Sequence, residues 1–253
     1  MDFLSATSGT LINVAGVLIG SLIGLMLRGR IDERMNAILL QALGLLVITI
    51  GFGMSNDANR VTGSLAPGVI LALIALALGG VLGEVLRLEE RLERLGDALK
   101  RRFGGTGAFT QGFVTASLLF CVGPLTIIGS IQNGLSGDPR ALVIKSALDF
   151  ISSIALSGVY GVGVVFSALT VLILQSGISL GAGSFAALIP DPATDPRVLL
   201  VNGAGGVMIL GTGVNLLLAG LGLGQYRVRV GALIPALPLC VIVYALAVWI
   251  APR

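Results

Sequence analysis

Histidine is absent from the sequence. That removes the commonest general acid–base group and the commonest metal ligand, so neither a metal centre nor a bound cofactor is expected. Cysteine is nearly absent. Cys121 and Cys240 both lie inside apolar runs, which offers no disulfide framework and reads as two small packing residues. Charge is scarce as well. Only 11% of the residues are Asp, Glu, Lys or Arg, against about 25% in a soluble domain. Too little polar surface is available to cover a soluble core, and the chain is too apolar to stay disordered. The formal charge of +3 does not point to nucleic acid, because the basic residues sit in short stretches beside apolar runs.

What is abundant is apolar and small. Hydrophobic residues make up 55% of the 253, and 37 are glycine. Mean hydropathy is +0.99. This is the composition of an all-α, polytopic membrane bundle whose helices approach closely, read as a single integral membrane domain over residues 1–253. Apolar runs cover 11–27, 37–54, 65–85, 109–131, 141–180, 198–223 and 231–250. The run 141–180 is about twice the ~20 residues that one crossing needs, and Gly158, Gly161 and Gly163 mark a turn within it. Counting it twice gives about eight spans; counting it once gives seven.

The charges orient these spans. With the N-terminus outside, the cytoplasmic turns hold Arg28, Arg30, Arg34, Arg87, Arg91, Arg94, Lys100, Arg101, Arg102, Arg227 and Arg229. The outer turns and the C-terminus hold Arg60, Arg140, Arg197 and Arg253. The bias obeys the positive-inside rule. Loops at 132–140 and 190–197 then face outward. Segment 84–103 is the one long polar helix, with Leu88, Leu92, Leu95 and Leu99 on one face and Lys100–Arg102 suited to an anionic lipid surface.

Two words recur. Asp138-Pro139-Arg140 and Asp195-Pro196-Arg197 both carry helix-start chemistry. Leu11-Ile12-Asn13-Val14-Ala15-Gly16 is echoed by Leu200-Val201-Asn202-Gly203-Ala204-Gly205. Spans one to three and four to six are read as a 3+3 inverted repeat, followed by two C-terminal spans. Gly16, Gly20 and Gly24 form small-xxx-small steps, which serve intrachain packing or a homodimer equally well.

Polar chemistry enters the membrane at a few places. Asp149 lies about 15 Å along a helix starting near Pro139, at 1.5 Å per residue, close to the middle of a hydrocarbon core about 30 Å thick. Lys145 stands one turn away. A charge at that depth is costly unless paired or hydrated, and such residues mark ion or substrate sites, the alternative being a structural brace. Gly123-Pro124 breaks span four; it either kinks the helix or unwinds it beside a cavity. Gln132 and Asn133 supply amides near the outer mouth. Asn13, Gln175 and Asn202 are further candidates for a path, or else interhelical hydrogen bonds.

Phe120-Cys121-Val122-Gly123-Pro124, then Gly129-Ser130-Ile131-Gln132-Asn133-Gly134-Leu135-Ser136-Gly137-Asp138, then Lys145-Ser146-Ala147-Leu148-Asp149 resemble the YqgA/YdfK family of bacterial inner-membrane proteins, catalogued as domain of unknown function 554. Gln175-Ser176-Gly177, Asn202 to Gly206 and Leu233 to Leu237 extend the likeness over nearly the whole chain. Asn133 departs from it, standing where Asp is expected in many members. The resemblance implies a multi-pass protein of the bacterial inner membrane and supplies no catalytic residues.

The function expected is a transporter or channel for a small ion or polar solute, with its path at Asp149, Lys145, Pro124, Gly123, Gln132, Asn133, Gln175, Asn202 and Asn13. An enzyme is not expected, because no Ser or Cys has a base pattern beside it. The alternative is a scaffold or sensor acting through helix 84–103. The partners expected are the lipid bilayer, the solute and a second copy of the chain.

Overall fold

The computed structural model describes residues 3–28, 30, 32–62, 65–104, 108–122, 124–183, 191 and 194–250, and among these described residues there are ten α-helices. They are α1 (Phe3–Arg28), α2 (Glu33–Ser55), α3 (Gly68–Val85), α4 (Leu88–Phe103), α5 (Phe109–Cys121), α6 (Pro124–Ser136), α7 (Arg140–Tyr160), α8 (Ser167–Leu180), α9 (Pro196–Gly220) and α10 (Ala236–Ile250). Short 3-10 turns occupy Asn56–Arg60, Gly161–Phe166 and Val230–Leu233. No strand occurs among the described residues.

Among the described residues six stretches are long and apolar enough to cross a membrane, or seven if the bent pair α5 and α6 forms one span. The stretch Arg140–Leu180 enters that number once, yet it folds back on itself. Gly161 makes the turn with φ +82°, a left-handed backbone that favours glycine. Contacts along both arms fix the reversal. Ser179 near the end of α8 donates to the Ser130 carbonyl of α6. At the other end Phe166 stacks on Phe109, where α5 begins, with ring centroids 5.4 Å apart.

The helix ends gather on two faces. One face holds the start of α1, the ends of α6 and α8, and the 3-10 turn at Asn56–Arg60. The other holds Arg28, which lies against Gly161, and the ion pairs of Arg227 and Arg229 with Glu93 and Glu84. Asp195 begins α9, accepting from the Arg197 backbone N–H at 2.9 Å. Asp138 accepts from the Arg140 N–H at 3.1 Å, so the shared Asp-Pro-Arg word is helix-start chemistry in both places. Burial pushes the Asp195 carboxyl up, but hydrogen bonds and charge from Arg197 outweigh it and hold the group below the ordinary range.

Packing is organised on two long helix pairs. α1 runs along α7, and α2 runs along α9. Gly16, Gly20 and Gly24 of α1 all face α7, and a Cβ on Gly24 would run into the Ile154 carbonyl oxygen. Of the two uses the small-residue stripe allowed, intrachain packing or a homodimer, the first is the one the structure shows. Gly44 and Gly51 of α2 meet Gly213 and Gly206 of α9 in the same manner.

Three element boundaries differ from the sequence reading. The polar helix is not continuous over 84–103. α3 ends at Val85, Arg87 adopts φ +52°, and α4 starts at Leu88. Residues 132–136 belong to α6 rather than to a loop. The 190–197 loop is cut short by α9 at Pro196, and its residues 190, 192 and 193 lie outside the described residues. The polar side of α4 is held by its own chain: the buried Glu89 accepts from the Gly231 N–H at 2.6 Å, and Asp97 accepts from Thr110 at 2.5 Å. Leu92 and Leu99 pack on the Phe109, Phe113 and Val114 cluster.

Candidate functional site: a buried Lys–Asp pair beside a broken span

α7 carries Lys145 and Asp149 one turn apart, so both side chains leave the same helical face. They form an ion pair, and their side chains are only 7% and 9% exposed. α1 supplies the third group. Asn13, fully buried, donates its Nδ2 hydrogen to Asp149 Oδ2 at 3.0 Å. The approach of α1 to α7 that places it there depends on Gly16 and Gly20, on the turns next to Asn13. Bringing two ions into a bilayer costs several kcal/mol each, and the pair offsets this only with such support.

The pair borders a cleft of about 170 Å³. Apart from Ser152, which also borders it, the walls are apolar: Ile50 and Met54 from α2, Leu119 and Val122 from the end of α5, Leu125 from the start of α6, Ile209 from α9. Val122 and Leu125 flank the break in span four, where α5 and the helix from Leu125 differ in direction by 60°. The break and the charged pair, two separate sequence signals, thus meet at one cleft. Gly123 itself lies outside the described residues, as does the side chain of Pro124. Across the break, Thr126 Oγ1 donates to the Phe120 carbonyl at 3.3 Å, satisfying one backbone group that the interrupted helix leaves open.

The remaining predicted site residues separate. Gln175 of α8 is fully buried, and neither its amide oxygen nor its nitrogen has a partner among the described residues. Thr10 Oγ1, Asn13 Oδ1 and Ser130 Oγ are also buried without one. Buried polar atoms are nearly always satisfied by protein or ordered water, so these atoms stand out from the rest of the buried polar groups. Asn133 does not line an outer mouth. It clips α6 to α1, donating to the Ser5 carbonyl and Ser8 Oγ at 3.1 Å and accepting from the Gly9 N–H at 2.9 Å. Gln132, its neighbour, is exposed.

Asn202 lies on the other helix pair, away from Asp149. Its Nδ2 faces Asp57 Oδ2 at 3.5 Å. Asp57 was missed by sequence reasoning, although the echo of Leu11–Gly16 in Leu200–Gly205 carried the signal. Each copy sets an asparagine against a carboxylate, and in each the asparagine oxygen is buried without a partner among the described residues.

A family model described as a protein of unknown function (DUF554) matches residues 8–245. The chain belongs to that family. It is similar to the uncharacterized membrane protein YdfK of Bacillus subtilis (strain 168), with 31% identity over 211 residues, covering 83% of this chain and 86% of the relative. It is also similar to the uncharacterized protein YqgA of Escherichia coli (strain K12), with 28% identity over 215 residues, 82% of this chain and 86% of the relative. No solved structure matches it. This DUF554 member is thus an all-helical membrane protein: its described residues form helices long and apolar enough to cross a membrane, and its relative YdfK is named as a membrane protein.

Proposed function

We propose that this DUF554 protein is a transporter or channel for a small ion or polar solute in the bacterial inner membrane, and not an enzyme. The observation that carries the reading is the Lys145–Asp149 pair on a cleft beside the broken span. Charged residues inside a membrane pair with one another and mark solute or proton pathways, and interrupted helices at that depth line cavities. Eight passes with the N-terminus outside fit the reversal at Gly161 and the basic residues on the Arg28 face. Self-association has no comparable support, because α7 occupies the glycine face of α1. Nor does α4 leave its acidic side free for docking, since its Glu89 and Glu93, together with Glu84 at the end of α3, hold the Arg227–Gly231 segment.

The test is Asp149→Asn in proteoliposomes loaded with ions and small polar solutes. The change keeps volume and removes charge, and a neutral amide is cheaper in the bilayer than a carboxylate. Flux is expected to fall at least tenfold while expression stays near normal. If the pair were only a brace, Asp149→Asn would lower the melting temperature and the further change Lys145→Met would restore it. Full flux through a well-folded Asp149→Asn protein removes Asp149 from the path.

A further inference from the structure

We infer that this protein binds an anionic phospholipid, with an acyl chain in an apolar groove between α5, α8 and α10 and the headgroup on the basic face of α4. The groove measures about 240 Å³. It follows α5 from Phe113 to Val122, with Leu174 of α8 and Leu237 of α10 as the facing walls. Leu92 and Leu95 of α4 also line it, and Leu92 packs at the Phe113 end. At 1.5 Å per residue the stretch from Phe113 to Val122 rises ~14 Å, close to half of a hydrocarbon core about 30 Å thick. The two hydroxyls in the wall, Ser117 and Thr170, hydrogen-bond to each other at 3.0 Å, which leaves an apolar surface. Apolar space of this kind takes hydrocarbon rather than water. Leu95 and Leu174 are both exposed, so the groove opens sideways.

α4 sorts its charges. Its acids are engaged by the chain itself: Glu89 by the Gly231 N–H, Glu93 by Arg227, Asp97 by Thr110, and Glu90 by Arg94 and Arg229. The exposed residues of the helix are Arg91, Arg94, Leu95, Ala98, Arg101, Arg102 and Phe103. The first six fall at i, i+3, i+4, i+7, i+10 and i+11, one helical face, with no acid on it. Arg91, Arg101 and Arg102 form no ion pair among the described residues. Leu95 joins the two features. It lines the groove, and it sits one turn after Arg91 and two turns before Arg102 on that face. Only Leu86 and Arg87 separate α4 from the end of span α3, which holds the basic face at the membrane surface. Guanidinium groups there match phosphate oxygens two at a time. A soluble anion would meet the arginines and leave the groove empty. A neutral lipid would fill the groove and leave Arg91 and Arg102 without a counter-ion. An anionic phospholipid satisfies both.

The test is native mass spectrometry of the full chain in a mild detergent, with equal amounts of phosphatidylglycerol and phosphatidylethanolamine carrying identical acyl chains. Retained phosphatidylglycerol should exceed phosphatidylethanolamine about tenfold or more. Arg91→Gln combined with Arg102→Gln should erase that preference. Arg30→Gln combined with Arg34→Gln, at the turn from α1 to α2, should keep it. Leu174→Trp fills the groove from the α8 wall and should lower retention of the lipid while the melting temperature holds; Leu237→Trp does the same from the α10 wall if the first variant does not fold. Equal retention of the two lipids, an undiminished preference in the double Arg91 and Arg102 variant, or full retention with the groove filled each overturns the site. So does a dimer that carries no lipid, which gives the groove to a second copy of the chain.

Discussion

Asn133 and Asp149 show how differently two buried polar residues are used. Asn133 makes three hydrogen bonds to α1 and nothing about it is open. Asp149 is flanked by atoms that still lack partners. Asn133→Ala should therefore lower stability by about 1–3 kcal/mol, the cost of stranding buried partners, and leave flux per folded molecule within about twofold. Thermal unfolding and a flux assay on the same preparation check this. A large loss of flux at unchanged stability would return Asn133 to the path. The sequence could not tell these roles apart. Both residues are polar points in an apolar run, and what separates them is the neighbour more than 120 positions away that each one meets.

At the scale of the helix, much was legible. Apolar runs, Asp-Pro starts and the Gly123-Pro124 break locate most elements to within a few residues, because caps and proline act locally. Partner choice was not. Gly16, Gly20 and Gly24 announce close packing but carry no address, and α7 was not deducible as their partner. Arg87 in a left-handed conformation was equally hidden, since nothing local marks an arginine for that backbone. The α1–α7 contact gives a sharp prediction. Gly24→Leu must displace the Ile154 carbonyl, and overpacking of this kind costs about 1–3 kcal/mol or more. Gly177→Ala in α8 meets no neighbour within 4 Å and should leave stability equal or slightly higher. Melting temperatures of the two variants in detergent decide it, and equal destabilisation would contradict the packing.

At the scale of the molecule, the topology is open to direct measurement. In a chain with Cys121 and Cys240 replaced by alanine, an impermeant maleimide applied to intact cells should label Asn59→Cys and spare Arg94→Cys. The reverse pattern would invert the molecule. The charge bias is what proposes this orientation in the sequence; the fold-back at Gly161 was legible only in outline, because its turn has no charged residue to mark it. The parallel pairing of α1 with α7 also sets a timetable for biogenesis. Asn13 and Asp149 are 136 positions apart. At about 5–20 residues per second of synthesis, α1 enters the bilayer roughly 7–27 s before its partner exists. For that interval its glycine face and its amide are open to any passing helix, including α1 of a neighbouring nascent chain. Chains interrupted before α7 would carry that adhesive surface permanently, and the quality-control proteases of the membrane would meet them as sticky, unpaired hairpins.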